Sequence, residues 1–188
     1  MGPLTNSSLR AAAARVSQAD RDLFKRVAAW HAPVLDSTLP VLSNAANYSR
    51  IWLTIAGLLT AFGGRRERRT AVEGLAAVAL TSAVANVAVK TLASRKRPVT
   101  GVPEARRLTQ PDSSSFPSGH TASAAAFSSV VGRRLPALRL PINVLAATVG
   151  FSRIYTGVHY PGDVAAGWLL GKGIAALVTR ISTRIAPR

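Results

Sequence analysis

Apolar stretches along the chain alternate with short basic segments. Five stretches can be delimited, near residues 46–63, 71–91, 118–132, 138–152 and 161–181. None is a clean run of the about 20 apolar residues that a membrane span usually has. Alanine, glycine, serine and threonine dominate them, which is typical of membrane helices that pack on one another more than on lipid. The pattern predicts an all-α fold, a polytopic membrane helix bundle with about five transmembrane helices.

The N-terminal region has a different pattern. Residues 1–19 are polar and we expect a partly disordered tail, whereas residues 20–188 form a single domain. Between residues 20 and 43, apolar positions are interrupted by charged ones. The charged side chains that argue against a span there are Asp22, Lys25, Arg26 and Asp36. This segment is predicted to be an interfacial amphipathic helix that breaks near Pro33.

Short apolar runs leave a second fold open, a soluble helical bundle with an alanine-rich core. The basic clusters favour the membrane. Arg65–Arg69 directly follows one apolar stretch and Arg133–Arg134 follows another, and charge at the end of an apolar run is how spans are bounded. Gly167 and Gly171 form a GxxxG pair in the last stretch, which predicts a close helix contact there.

The composition limits the classes of ligand and of catalysis that the chain can have. The 24 lysine and arginine residues against 8 acidic ones give a net charge of +16, which suits nucleic acid, an anionic membrane surface or a phosphorylated substrate. The chain has no cysteine, which excludes disulfides, thiolate catalysis and cysteine-ligated metals. Its few acids and three histidines form no recognisable metal-binding cluster. We therefore expect no metal and no cofactor.

Three short blocks carry candidate chemistry, and the first contains two cations. Lys90 and Arg97 are seven residues apart near the end of the second stretch, and Pro98 ends the regular structure. Two such cations can converge on one anion. Taken alone, ordinary snorkelling or a solvated loop explains them better. The segment 99–116 that follows lacks periodicity, and a loop of that length in a compact domain is usually functional or disordered.

The second block is Pro117-Ser118-Gly119-His120. Ser118 is a natural N-cap, and Gly119 lets a ligand approach the backbone closely. The first turn of the helix that follows is a ready anion site, because its free N–H groups and positive dipole end point outward. His120 lies in that turn. The alternative is a structural histidine, which is the commoner role of a lone one.

The third block runs from Ser152-Arg153 to Asp163. Arg153 closes the fourth helix, and His159 precedes Pro161, which suits the first position of the fifth helix. Asp163 then falls in the first turn of that helix, from which it can reach back to the histidine. An Asp–His pair fixes the tautomer and leaves the other nitrogen free to attack. The alternative is a helix-capping aspartate beside an incidental histidine.

Topology places the three blocks together. In an alternating five-helix arrangement, the loops 91–117 and 153–160 lie on the same membrane face, so every singled-out residue is at that face. Lys172 stands apart, because it lies within the fifth apolar stretch, where a charge is costly and often functional. We expect it to snorkel toward the opposite face.

Together the blocks resemble the pattern of the type 2 phosphatidic acid phosphatase (PAP2) family. That pattern reads Lys-x6-Arg-Pro, Pro-Ser-Gly-His and Ser-Arg-x5-His-x3-Asp, and this chain matches all eleven fixed positions from Lys90 to Asp163. A match of this extent is far more specific than any single short motif. The resemblance implies the helical bundle that membrane lipid phosphatases share with soluble acid phosphatases and vanadium haloperoxidases.

The resemblance also implies roles in a metal-independent phosphatase. His159 would be the nucleophile that forms a phosphohistidine, Asp163 would orient it, and His120 would protonate the leaving oxygen. The groups implied to hold the phosphoryl oxygens are Lys90, Arg97, Ser118, the Gly119 amide and Arg153. These roles agree with the residue-level interpretation, since phosphoryl transfer depends mostly on positioning and charge stabilisation.

The expected substrate is a polyprenyl-linked or glycerolipid phosphate, a phosphomonoester or a diphosphate. An arginine-rich and alanine-rich composition is similar to that of actinobacterial members, which gives the narrower expectation of a decaprenylphosphoryl-5-phosphoribose phosphatase in cell-wall arabinan precursor synthesis. The alternative from another class is a non-catalytic basic membrane protein that binds anionic lipid or nucleic acid. A binder needs no His–Asp pair, so we expect lipid phosphate and membrane lipids as partners, and no nucleic acid.

Orientation in the cell membrane is the least determined property. Once the cations assigned to phosphate are set aside, ten cations remain on each predicted face, so their number does not decide the orientation under the positive-inside rule. Arg65–Arg69 is the densest cluster and lies in a very short loop, where the rule works best. The prediction is that this loop is cytoplasmic and the active site extracytoplasmic.

Overall fold

The computed structural model describes residues 6–85, 94–98 and 101–185, and this part of the chain is helical without β-strands. The α-helices in it are α1 (Asn6–Ala29), α2 (Pro33–Ala45), α3 (Arg50–Phe62), α4 (Arg65–Ala83), α5 (Gly119–Arg134), α6 (Arg139–Tyr155) and α7 (Pro161–Ile185). The all-α prediction is confirmed. Each predicted apolar stretch overlaps one helix from α3 to α7, and the end of the second stretch, 86–91, lies outside the described residues.

Helix α5 is the centre of the bundle and packs against α4, α6 and α7. It is buried on nearly all sides, because its sequence supplies small side chains in every direction and Phe127 at the contact with α3 and α4. The rings of Phe127 and Trp52 pack at a tilt, with their centroids 5.6 Å apart, in the main apolar cluster. A helix that is apolar or small all round is expected at such a position.

Helices α5 and α7 approach each other very closely at the GxxxG pair. A Cβ atom at Gly167 would collide with the carbonyl oxygen of Ser118, and one at Gly171 would collide with that of Ala122. Glycine is therefore required at both positions. The predicted close contact is confirmed, and it fixes the N-terminal ends of α5 and α7 side by side.

The N-terminal region is more helical than the sequence suggested. Helix α1 begins at Asn6 and continues to Ala29, so most of the expected polar tail is helical in the structure. The predicted break near Pro33 is confirmed, because Pro33 is the first residue of α2. The buried Arg106 guanidinium stabilises the turn between α1 and α2, because it donates to the carbonyl oxygens of Ala28 and Trp30.

In the described part of the chain, fewer helices than the predicted five have the length and hydropathy of a membrane span. Within the described residues, one helix is long and apolar enough to cross a bilayer, over Pro161–Arg184. The 13 residues of α3 reach only about 20 Å, short of the roughly 30 Å of hydrocarbon. Helix α4 carries four arginines in its first two turns. Large apolar side chains nevertheless face outward on several helices: Leu53, Phe62, Val72, Leu140, Val144 and Leu169.

Candidate active site

A cavity of about 230 Å³ opens at one end of the bundle, where the N-termini of α5 and α7 meet the C-terminus of α6. The turn between α2 and α3 and part of α4 complete its walls. Five of the eight predicted site residues line it, namely Arg97, Gly119, His120, Arg153 and His159. The fold therefore brings side chains from all three sequence blocks to one cavity.

The Arg97 guanidinium is buried beside the cavity and held by neutral acceptors. Its Nε donates to the carbonyl oxygens of Pro111 and Ser113 at 3.1 and 3.2 Å, and its Nη1 donates to that of Val158 at 3.1 Å. The same Nη1 lies 3.2 Å from Nε2 of His159. Among the described residues, no carboxylate oxygen lies within 4.0 Å of this guanidinium.

Arg153, in the last turn of α6, is a second buried guanidinium at the cavity. Its Nη1 donates to the hydroxyl of Ser43 on α2 at 2.6 Å, and its buried Nε has no hydrogen-bond partner in the part of the chain that is described. It likewise has no carboxylate within 4.0 Å there. Because buried cations are normally paired, two uncompensated guanidiniums beside one cavity indicate an anion site.

A tight turn after α6 positions His159. The backbone N–H groups of Val158 and His159 both donate to the carbonyl oxygen of Arg153, and Gly157 allows the turn with a φ of +76°. The turn buries His159 and directs its Nε2 toward Arg97. Since the guanidinium can only donate, Nε2 is the acceptor and Nδ1 carries the proton.

Asp163, in the first turn of α7, is fully buried next to His159. Its Oδ2 lies 3.6 Å from Nδ1 of His159, which is within ion-pair range but longer than a hydrogen bond. The same oxygen accepts from the backbone N–H of Tyr160 at 2.9 Å, and Oδ1 accepts from Arg95 at 2.8 Å. The carboxylate thus faces the nitrogen that carries the proton.

The N-terminus of α5 forms the opposite wall. Ser118 is the N-cap, as predicted, and its side chain accepts a hydrogen bond from a backbone N–H of the first turn. Its own N–H donates to the carbonyl oxygen of Asp163 at 3.0 Å, which joins the starts of α5 and α7. Gly119 lines the cavity, so the positive end of the helix faces it. His120 Nε2 lies 2.9 Å from Oδ1 of Asn47.

Burial and the two guanidiniums set the charge of the imidazole. Burial has the largest effect and, with the positive charges of Arg153 and Arg97, lowers the pKa of His159 to about 4, although Asp163 opposes the shift. At neutral pH the imidazole of His159 is therefore uncharged and has a lone pair on Nε2. Burial also lowers the pKa of Arg97 below its ordinary value, and the negative charge of Asp163 limits this effect.

Two of the remaining three predicted site residues do not line the cavity, and the third is not among the described residues. Lys90 lies outside the described residues, so its phosphate contact stays a prediction. Ser118 and Asp163 are buried behind the wall, where they hold the neighbouring groups. Lys172 is exposed at a different pocket, beside Arg133 at the far end of α5. That position fits the expected snorkelling away from the site.

Sequence reasoning missed four polar side chains that hold the site: Asp20, Ser43, Asn47 and Arg95. A signal existed for Arg95, which lies inside the first block, and for Asp20, which shares a helical face with Phe24 and Ala28. Ser43 and Asn47 carried no recognisable signal. Their contacts with Arg153 and His120 join positions far apart in the chain.

The chain is similar in sequence to two known phosphatases of polyprenyl-linked phosphates. A decaprenylphosphoryl-5-phosphoribose phosphatase of Mycobacterium tuberculosis is 36% identical over 149 residues, which cover 79% of this chain and 81% of the relative. An undecaprenyl-diphosphatase of Sulfolobus acidocaldarius is 28% identical over 166 residues, which cover 86% of this chain and 78% of that protein.

The fold leads to the same group of proteins. A transmembrane PAP2-type phosphatidylglycerolphosphate phosphatase from Bacillus subtilis has a similar structure, with a TM-score of 0.72 and 25% identity over 92% of this chain and 88% of that one. Residues 71–186 match the PAP2 superfamily, and this region contains all eight predicted site residues. The cavity, the sequence blocks and the fold therefore agree, and the chain belongs to the PAP2 superfamily.

Proposed function

We propose that this protein is an integral-membrane phosphatase that hydrolyses a lipid phosphate through a phosphohistidine at His159. One observation carries the proposal: the buried imidazole of His159 lines the same cavity as two buried guanidiniums that have no carboxylate partner among the described residues. A phosphate group supplies the negative charge that this arrangement lacks. The nucleophile is already deprotonated at Nε2, so no separate base is needed to activate it.

In the first step, Nε2 of His159 attacks phosphorus and the bond to the leaving oxygen breaks. His120 donates its proton to that oxygen, and the alcohol or phosphate leaves. In the second step, water attacks the phosphohistidine while the now neutral His120 accepts a proton, which releases inorganic phosphate and restores both histidines. Asp163 stabilises the positive charge that develops on the His159 ring, because it faces Nδ1.

Binding must also rearrange one contact. In the structure, Nη1 of Arg97 donates to the same nitrogen that attacks phosphorus. A phosphoryl oxygen that enters the cavity takes over this donor, and the lone pair of Nε2 then points at phosphorus. Arg153 and the N-terminus of α5 hold the other oxygens, and Lys90 joins them by the family resemblance. The guanidiniums supply the charge stabilisation, so we propose that no metal is required.

We propose a polyprenyl-linked phosphate as the substrate, and decaprenylphosphoryl-5-phosphoribose as its narrower form. The names of the two relatives, which cover most of this chain, support this choice. The cavity of about 230 Å³ holds a phosphate and little more. The lipid chain must therefore lie along the outside of the bundle, where large apolar side chains are exposed.

Phosphate release from detergent-solubilised protein tests the activity and the substrate together. A panel of phosphatidic acid, phosphatidylglycerol phosphate, undecaprenyl diphosphate and a polyprenyl phosphoryl-phosphoribose should give the highest kcat/KM for the last. Activity should survive excess EDTA, and His159→Ala should abolish it. A protein that releases no phosphate from any of these lipids, while remaining folded, would be a binding protein instead.

We also propose a multi-pass arrangement with the active site on the extracytoplasmic face. The exposed apolar residues of α3, α4, α6 and α7 support several membrane-embedded helices.

Single cysteines at Asp112 and Gly64 can decide the orientation, because both residues are exposed and the chain has no native thiol. Asp112 is a better position than the nearby Ser114, because the hydroxyl of Ser114 accepts from two backbone amides. An impermeant maleimide added to intact cells should label position 112 and spare position 64. The reverse pattern would place the site in the cytoplasm.

A further inference from the structure

Asp20 of helix α1 is linked to Asp163, the carboxylate that faces His159, through the guanidinium of Arg95. Oδ2 of Asp20 lies 2.5 Å from Nη2 of Arg95, and Nη1 of the same guanidinium lies 2.8 Å from Oδ1 of Asp163. Oδ1 of Asp20 also accepts from the backbone N–H of Gly162, in the first turn of α7, at 2.7 Å. A chain of ion pairs therefore runs from α1 to the residue that faces Nδ1 of His159.

These contacts are sheltered from water. The side chains of Asp163, Asp20 and Arg95 are 0%, 10% and 29% exposed. The Arg95 guanidinium lies over the ring of Tyr160 at 4.4 Å, and Phe24 of α1 packs edge-on against the same ring at 5.4 Å. Ion pairs that are this buried keep a fixed geometry, unlike exposed pairs on a surface.

We propose that Asp20 and Arg95 are positioning residues for the phosphoryl transfer, acting on His159 through Asp163. This inference rests on the proposed function. Arg95 occupies Oδ1 of Asp163, which leaves Oδ2 as the oxygen that faces His159. Asp20 holds Arg95 from the other side and ties it to the start of α7. Helix α1 is thus part of the catalytic apparatus, although it lies outside the region that matches the family.

The charge of Arg95 matters as much as its geometry. Asp163 is fully buried and the imidazole that it faces is uncharged, so Arg95 provides the cation that compensates the carboxylate. Without it, Asp163 has to either accept a proton or turn away from His159. Either change weakens the stabilisation of the ring when it becomes phosphorylated and positively charged.

A merely structural role is the alternative, because α1 also docks through an apolar cluster. Phe24 and Ala28 pack with Val102 and Ile154 next to the same loop. In that case Asp20 and Arg95 would only help to hold α1 against the bundle. Their loss would lower the thermal stability of the protein without a specific effect on turnover. The two views differ in what the pH dependence and the double variant show.

The experiment uses Asp20→Asn, Arg95→Gln and the double variant of the full-length chain in detergent. Lys96→Gln and Asp22→Asn serve as matched controls, because each is an exposed or half-exposed neighbour with the same charge. We expect kcat to fall by roughly 10-fold to 100-fold for Arg95→Gln and by less for Asp20→Asn, with KM changed no more than about 3-fold. Because Asp20 acts through Arg95, the double variant should be no slower than Arg95→Gln alone.

The acidic limb of the kcat/KM profile gives a second readout. The charged groups nearest His159 are Asp163 on α7, Arg153 on α6 and Arg97 in the loop, with Arg95 and Asp20 behind Asp163. Because Arg95→Gln leaves Asp163 protonated or turned away, His159 loses the nearby negative charge that raises its pKa, and this limb should shift to lower pH. Removing the negative charge of Asp20 should shift the limb in the same direction. Arg95→Lys and Asp20→Glu should restore part of kcat.

Equal activity of Asp20→Asn, Arg95→Gln and the two controls would overturn the inference. So would additive losses in the double variant with an unmoved acidic limb, since that outcome belongs to the structural role. The proposed function fails by a different result, namely turnover by His159→Ala. If His159→Ala is inactive and the Asp20 and Arg95 variants resemble the controls, only the positioning role is lost.

Discussion

The two ends of the bundle are both rich in arginine, but their arginines are in opposite states. At the cavity, the guanidiniums of Arg97 and Arg153 are buried and have only neutral acceptors among the described residues. At the far end, Arg134 and Arg69 share the carboxylate of Glu73, at 2.8 and 3.2 Å. The far end has a larger opening, of about 740 Å³, which is lined by arginines.

This difference distinguishes a site that binds an anion from a network of ion pairs that holds helices together. Glu73 is nearly buried and is satisfied by two arginines and by the hydroxyl of Ser182 on α7, so its network joins α4, α5 and α7. A buried cation without such a partner destabilises the fold unless an anion binds to it. Arginine content alone therefore does not identify the phosphate site, whereas burial without a carboxylate does.

The largest expected effect comes from a matched pair of arginine variants, one from each end. Arg153→Gln should lower kcat/KM by roughly 10²–10³-fold, because it removes a buried donor to the transferred phosphoryl group. Arg134→Gln should keep kcat/KM within about 2-fold of wild type, because this side chain donates to Glu73 at the end of the bundle away from the cavity. Comparable losses in the two variants would erase the distinction between the ends.

The reciprocal experiment measures stability. Glu73→Ala leaves two arginines without their shared carboxylate, and we expect a loss of about 2 kcal/mol in the free energy of unfolding. Thermal unfolding in detergent should show this as a midpoint lowered by roughly 4–8 °C, with kcat/KM little changed in the protein that remains folded. Full stability combined with lost turnover would reassign Glu73 to the site.

The pH dependence of kcat/KM should reveal the buried histidine. Since His159 must be uncharged to attack and burial lowers its pKa to about 4, activity should persist well below pH 6.5 and fall only near pH 4, after correction for the ionisation of the substrate. Arg153→Gln removes a charge that lowers this pKa, so its acidic limb should move to higher pH. In Arg134→Gln the limb should not move.

The smallest effect is expected for Lys172. Its ammonium group lies 5.4 Å from the ring of Trp168, and the side chain is exposed at the pocket beside Arg133. Lys172→Met should therefore leave phosphate release within about 2-fold of wild type. A large loss of rate, measured on the same lipid substrate, would bring the far end of α7 into the mechanism.

Local chemistry could be predicted from the sequence. The N-cap at Ser118, the first helical position at Pro161 and the acidic first turn at Asp163 all follow from rules that act within a few residues. The second and third blocks then converge because each lies next to a helix end on one side of the bundle. Helix ends are specified by short-range signals, which is why five of the predicted residues meet at one cavity.

Long-range contacts and the N-terminal helix could not be predicted in this way. Asp20 meets Arg95 across 75 positions, and Asn47 meets His120 across 73. Such pairings depend on how α1 and α2 dock, which the hydrophobic pattern does not specify. Residues 6–19 were expected to be partly disordered because they are polar, yet alanine, arginine and glutamine are good helix formers.

The most direct test of the proposed mechanism is to trap the phosphorylated protein. Detergent-solubilised enzyme is mixed with a ³²P-labelled lipid phosphate, quenched in alkali within the first turnover, and digested for mass spectrometry, because phosphohistidine survives alkali and is lost in acid. The mechanism predicts phosphate on His159 in wild type and no labelled protein in His159→Ala. Label on any other residue, or phosphate release by His159→Ala at the wild-type rate, would contradict it.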